Sequence, residues 1–277
     1  MIDLHIKTSL STGQMSVYRL LKTVEEENLV YFSIVDKNHA LAYNLIEMAE
    51  HKNLITGTAI NTHYKGMPID LLGYDIDVDV INAWYDRNYT MQQVEWIERD
   101  RSKRIVEMLK SKGFELQVNY TRYDKLGITI KEIFDELIEK YPDFVFSNVR
   151  DFRLYGLNNP SHQYYIDQTM YLPEIDEAIA IIKKANGKVF LAHPFEYRVD
   201  ISGLLEMVLE KHLDGIEVFH ASISVLNSLK LIEFCETAKI MASIGSGYVG
   251  HEELIPLGVH LDEEILNKDC FNWIFNR

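Results

Sequence analysis

The sequence predicts an α/β protein, with mostly parallel strands closing into a barrel that an inserted helical subdomain interrupts. Three observations carry that prediction. Strand-then-helix steps recur at both ends of the chain, a tight hairpin falls early among them, and from about residue 79 to residue 171 the rhythm gives way to long polar-rich helices. Strands alternating with helices of ten or more residues build parallel sheets, and such sheets can close on themselves. A length of 277 residues has room for two average domains, yet barrels of this kind take that length as one unit. The reading therefore divides the chain into a barrel over residues 1–78 and 172–277 and an insertion over 79–171.

The elements follow in order. Ile2 to Lys7 alternates as a strand does, and Ser16 to Asn28 carries Leu20, Leu21 and Val24 at helical spacing. A second step places a strand over Val30 to Val35 and a helix over Ala40 to Lys52. A third strand, Leu54 to Ile60, is followed by the Lys65-Gly66 turn and a return strand, Ile69 to Tyr74. Within the insertion, the charged stretch Glu95 to Lys112 should stop at Gly113, and Thr129 with Glu132 forms a capping box ahead of Pro142. Trp84, Tyr85, Tyr89 and Trp96 lie at helical spacing, which suits the insertion's own small core better than a lid. After Pro173, a good first helical residue, a helix runs to Asn186 with Gly187 as its stop. Strands Lys188 to Ala192, Gly215 to Phe219 and Ile240 to Ile244 then alternate with helices Ser202 to His212 and Val225 to Ala238.

Composition narrows the function. With 42 acidic against 28 basic residues the net charge is -14, so the average field repels nucleic-acid backbones and anionic lipid surfaces. Broad nucleic-acid or membrane binding is not expected, but screening confines that field to about 10 Å, so a local basic pocket can still hold a small anion. Cys235 and Cys270 form no CxxC pair and read as core thiols. The start of the chain shows no signal-peptide pattern and no stretch reaches membrane-spanning length, which reads as cytoplasmic. Whether the chain serves a protein partner is left open by the sequence. No Gly-x-Ser-x-Gly elbow, P-loop or Gly-x-Gly-x-x-Gly fingerprint occurs.

Barrels of this type place reactive groups at the C-terminal ends of their strands. Those ends here bring His5 and Lys7, Asp36, Lys37, Asn38 and His39, Asp70, His193, Glu217 and His220, and the loop GSGYVGH ending at His251. Several segments, in order, resemble the motifs of the PHP (polymerase and histidinol phosphatase) family. MIDLHIKTSLSTG is similar to its HxH and Ser-Asp-Gly turn, SIVDKNH to its Thr-Asp-His-Asp, and LLGYDID to its Leu-Gly-Tyr. VFLAHPF resembles its Ala-His-Pro, DGIEVF its Gly-Ile-Glu-Val, and ASIGSGYVG its Gly-Ser-Asp-x-His-Gly. The resemblance spans about residues 1–76 and 170–250. It implies a distorted seven-stranded TIM-like β/α barrel in which clustered zinc, manganese or iron ions hydrolyse phosphate esters.

Matched position by position, the resemblance also implies a degenerate metal site. His5 is kept, but Lys7 stands for the second HxH histidine, Thr12 for the turn's carboxylate and Lys37 for the second motif's histidine. Ala59 replaces a glutamate, Asp70 a histidine, and Gly247 and Val249 the last motif's Asp and His, while His193 is kept. A protonated amine is a poor ligand. No metal cofactor is therefore expected; the alternative is one divalent ion on His5, Asp70 and His193. Lys7 and Lys37 either form an anion pocket with His5, Asp70 and His193 for a phosphate-containing ligand, or simply neutralise Asp36, Asp70 or Glu217. His39, His63, His220 and His251 read as solvated loop histidines rather than relocated ligands. The functional expectation is a phosphoesterase homologue with lost or strongly impaired hydrolysis, and the alternative an active hydrolase with a reduced site.

Overall fold

The computed structural model describes residues 1–117, 129–197, 199–250 and 255–276. Its strands fall into two sheets. In the first, β1 (Ile2–Ile6) lies parallel to β2 (Tyr31–Ile34). The second has the order β3-β4-β5-β6-β7, from β3 (Gly57–Tyr64), β4 (Met67–Tyr74), β5 (Lys188–Leu191), β6 (Gly215–Phe219) and β7 (Met241–Ile244). β5, β6 and β7 are parallel neighbours, whereas β4 runs antiparallel to β5 with Leu71 opposite Leu191. Single bridges link the two sheets at both margins, Lys37 with Ala59 and Ile6 with Tyr248. The ladders do not form one continuous ring, so the architecture established is a mixed α/β protein.

Lys65 and Gly66, both with positive φ (49° and 82°), make the two-residue turn between β3 and β4. That backbone is the type I′ turn whose twist suits a hairpin. The longer helices are α1 (Val17–Glu26), α2 (Val78–Asn88), α3 (Met91–Ser111), α4 (Ile130–Lys140), α5 (Ile175–Lys184), α6 (Ile201–Glu210) and α7 (Val225–Ala238). Their ends are specified locally. The Ser16 side chain accepts from the Arg19 amide, and Thr90 with Gln93 and Thr129 with Glu132 form complete capping boxes. Gly113, at φ +89°, lies just beyond the end of α3, and α5 begins two residues after Pro173.

The chain divides into two compact units, one of residues 1–62, 69–84 and 175–277 and one of residues 63–68 and 85–174. In the first, Leu4, Ile6, Phe32, Ile34, Leu71, Phe190, Ile216 and Ile244 are fully buried. Tyr74, Phe190 and Trp273 pack with ring centroids 5.0–5.4 Å apart, and the Trp273 indole donates to the Ala242 carbonyl at 2.8 Å. In the second, Phe134, Phe144, Phe152 and Tyr164 gather around Ile105, Leu109 and Leu137. The aromatics singled out by spacing are not that core. Trp84 belongs to the first unit, Tyr85 stacks on Tyr89, and Trp96, 53 % exposed, lies edge-on to Tyr171. Helical spacing identifies a face but not what covers it.

The expected helix Ala40 to Lys52 is absent; two short 3₁₀ turns, Leu41–Leu45 and Met48–Glu50, take its place. The Tyr43 hydroxyl explains the difference. It accepts from the amides of Gly57 (2.7 Å) and Ile34 (3.2 Å) and shares its proton between the carbonyls of Ile34 and Ile55 (2.8 and 3.0 Å). A buried hydroxyl with these partners outweighs helix propensity. Tyr43→Phe should therefore strand the two buried amides and lower stability by about 1–3 kcal/mol, measured by urea denaturation; an unchanged midpoint would contradict the assignment.

Candidate functional site

Strand direction decides which residues meet. Parallel strands β1, β2, β5, β6 and β7 bring their C-terminal ends to one side, presenting Lys7, Asp36, Lys37, His193 and His220 there. Antiparallel β4 contributes its opening half instead: the Asp70 carbonyl accepts from the Ala192 amide at 3.1 Å, so Asp70 lies beside the end of β5.

Glu217 is the hub. Its side chain is fully buried; Oε1 takes a hydrogen bond from His5 Nδ1 at 2.9 Å and Oε2 accepts from the His193 backbone amide at 2.7 Å. His193 has a φ of +25°, a strained backbone for a residue with a side chain, and the Glu217 bond helps to hold it. Its ring then faces Asp70, with Nε2 3.4 Å from Oδ2, while Nδ1 lies 3.8 Å from Glu196 and, among the described residues, makes no hydrogen bond. Asp70 also accepts from the Asn61 side-chain amide at 2.7 Å, and the Tyr197 hydroxyl accepts from the Asp70 backbone amide at 2.9 Å. The rings of His5, His193 and His220 form a triangle with centroids 5.2–5.7 Å apart.

The loop after β7 closes one side of this cup. Asp3, fully buried under His5, accepts from the His5 and Ser246 amides, the Ser246 hydroxyl and the Gly258 amide. That ties Gly245 and Gly247 in place. A Cβ at Gly245 would fall 2.2 Å from the His5 Cβ, and one at Gly247 2.2 Å from His220 Nε2. The His220 ring thus occupies the space where a side chain at position 247 would start, and its Nδ1 is held by Ser222 Oγ at 2.7 Å and the Ser222 amide at 3.1 Å.

Asp36 is buried and takes both its bonds from Thr8, the amide at 2.8 Å and the hydroxyl at 2.6 Å. The Lys37 amide donates to Ser11 Oγ, and Lys37 pairs in register with buried Ala59. Of the four histidines read as loop residues, His220 belongs to the cup, with 7 % of its side chain exposed. His39 is buried against the Leu10 carbonyl at 3.0 Å, and His63 lies 3.5 Å from Glu174 in the second unit. Neither is a solvated loop residue. His251 lies outside the described residues. Glu196, Tyr197 and Asn61 were not singled out by sequence; only Glu196 carries a hint, three residues beyond His193.

Charges in the cup are strongly coupled. Burial raises the Asp70 carboxyl, but the hydrogen bond and charge of His193, with the charges of Lys7 and Lys37, hold it far below the ordinary 3.8. Burial lowers His193, but Asp70, Glu196 and Glu217 overcome it and raise the ring above 6.5. Burial likewise opposes the charged form of Glu217, yet His5, His220 and His193 bring it down to about 2. His220 moves the other way. Burial, reinforced by His193 and His5, lowers it to about 3 despite Glu217. Among the described residues, one set of metal-type donor atoms converges within 4.8 Å, those of His5, Glu217 and His220.

No protein-family model matches the sequence, and no curated protein matches it. Solved structures do. A presumed metal-dependent phosphoesterase from Bifidobacterium adolescentis superposes with a TM-score of 0.67 at 20 % identity, over 96 % of this chain and 93 % of its own. An amidohydrolase from Chromobacterium violaceum, with bound sulfate and no metal, gives 0.73 at 16 % identity over 99 % and 96 %. The fold is therefore that of these proteins over nearly its whole length. No described helix is long and apolar enough to cross a membrane.

These shifts fix a pH dependence. His220 is lowered from 6.5 and Glu217 from 4.5, so between about 6.5 and 2 these two groups bind more protons in the unfolded chain than in the folded one, an effect that the raised Asp3 opposes just above 3.8. Stability should be fullest near pH 6.5 and fall as the pH drops; the raised His193 makes it decline again above that pH. Chemical denaturation at pH 6.5, 5 and 3.5 should show the acid loss, and His220→Asn should reduce the part lost between 6.5 and 5. A flat profile would contradict the assigned protonation states.

Proposed function

We propose that this chain is a PHP-type phosphoesterase homologue whose cup binds a small phosphate-bearing anion and has lost the multinuclear metal-dependent hydrolysis of that family. On this reading the two sheets are arcs of one seven-stranded β/α barrel, a view supported by the single bridges at both margins. One electrostatic relation supports the ligand assignment: the positive charges of Lys7 and Lys37 act with His193 to hold the Asp70 carboxyl low, which places positive charge around this end of the strands.

The donor chemistry supports it. Lysines stand at two positions where the PHP motifs that this chain resembles have histidine ligands, and Ala59 and Gly247 offer no side-chain ligand atom. These residues do not fit a cluster of several cations, which needs many neutral imidazoles and carboxylates. They do fit an anion. Two ammonium groups and a protonated imidazole supply fixed positive charge, and among the described residues the buried His193 Nδ1 makes no hydrogen bond, with Glu196 3.8 Å away. Asp70 then acts as the counter-charge that keeps His193 protonated. The bound sulfate of the metal-free Chromobacterium violaceum amidohydrolase, a protein of the same fold, is consistent with such a site.

Calorimetric titration of metal-free protein with inorganic phosphate and with a mononucleotide should show saturable binding of at least one of them. Lys7→Ala or Lys37→Ala should weaken it about 10- to 100-fold, the loss of one charge-assisted contact. No binding of either, or turnover of a generic phosphate ester in manganese that His193→Ala abolishes, would overturn the reading; the latter would restore the hydrolase.

A further inference from the structure

We infer that Asn38 and Asn61 are positioning residues of the anion pocket: Asn61 aims the Asp70 carboxylate at His193, and Asn38 fixes Asn61 to the turn that carries Lys37. The inference rests on the anion reading and deepens it by naming what sets the pocket's geometry. An unbroken run of hydrogen bonds within the first unit carries it.

β3 lies at one edge of its sheet, so the outward backbone groups of its alternate residues need partners from elsewhere. The Ala59 amide donates to the Asp36 carbonyl at 3.1 Å, and the Ala59 carbonyl accepts from the Asn38 amide at 2.7 Å. The Asn61 amide comes next on that edge, past the Lys37–Ala59 bridge, and Asn38 Oδ1 accepts from it at 2.8 Å. Asn38 is buried and has a φ of +65°, which glycine adopts freely and asparagine tolerates. Glycine at 38 would make the turn but would leave the Asn61 amide without that acceptor. The same turn begins at Lys37, whose amide donates to Ser11 Oγ at 2.9 Å.

The Asn61 side chain continues the run, with Nδ2 donating to Asp70 Oδ1 at 2.7 Å. An ionised carboxylate only accepts, so this bond decides which end of the amide faces Asp70. The Asp70 backbone is held as well, its amide by the Tyr197 hydroxyl at 2.9 Å and its carbonyl by the Ala192 amide at 3.1 Å. With Oδ1 taken by Asn61, Oδ2 is the oxygen that faces His193 Nε2 at 3.4 Å. The charges of Lys7 and Lys37 act on this same carboxylate. An untethered carboxylate would turn toward an ammonium group and cancel charge that an anion needs; the Asn61 tether commits it to His193.

The test is calorimetric titration of wild type, single variants and two double-mutant cycles with inorganic phosphate and with a mononucleotide, folding being checked by circular dichroism. We expect Asn61→Ala to weaken binding about 10-fold, the loss of one hydrogen bond to a charged group. Asn61→Thr, which keeps a good strand former at 61, should do the same. Asn38→Gly, which keeps the turn, should weaken binding about 5-fold. Asn61→Ala in the Asp70→Ala background, and Asn38→Gly in the Lys37→Ala background, should each change affinity by less than about 2-fold, because a positioning residue has no effect once the group it acts through is gone. A residue that only supports the fold would weaken binding equally in either background. Folded single variants that bind as wild type does, or losses that add in full in either cycle, overturn the inference and leave the anion pocket standing. Wild-type protein that binds neither probe removes the pocket itself, and the inference with it.

Discussion

The buried carboxylate of Glu217 is the constraint on which the cup depends. A charge removed from water this completely is tolerated only when paired and hydrogen-bonded, and here its two oxygens are used by different strands: His5 on β1 and the backbone of His193 after β5. It therefore acts as a clamp across three strands as well as a charge. The unfavourable backbone of His193 is held at the one place where its amide must meet Oε2.

Asp3 does the same one layer below. Its four hydrogen bonds join β1 to the loop after β7 and to the segment around Gly258, so residues distant in sequence share one fixed base. Two buried carboxylates stacked beneath a ring of histidines give a cup whose shape is set by the protein alone. Such preorganisation suits a site meant to bind rather than one that must assemble around its ligand.

Much of this was legible in the sequence, and the failures have physical causes. The strands from Lys188 and Gly215, the stop at Gly187 and the box of Thr129 and Glu132 were readable because local signals decide them. The segment after Ala40 was misread because a single hydroxyl, Tyr43, finds its partners on two other strands. His5, Asp70 and His193 could be placed from motif order alone. His220 could not, since its role depends on an empty volume over Gly247 that no spacing reveals. The antiparallel course of β4 explains why Asp70, in the opening half of its strand, reaches the same place as residues at the ends of others.

Gly247 also couples two distant positions. With an imidazole where the first carbon of a side chain would stand, any larger residue there would collide with His220 before reaching the cup. A change at one of the two positions therefore requires movement or replacement at the other, although they lie 27 residues apart in the chain.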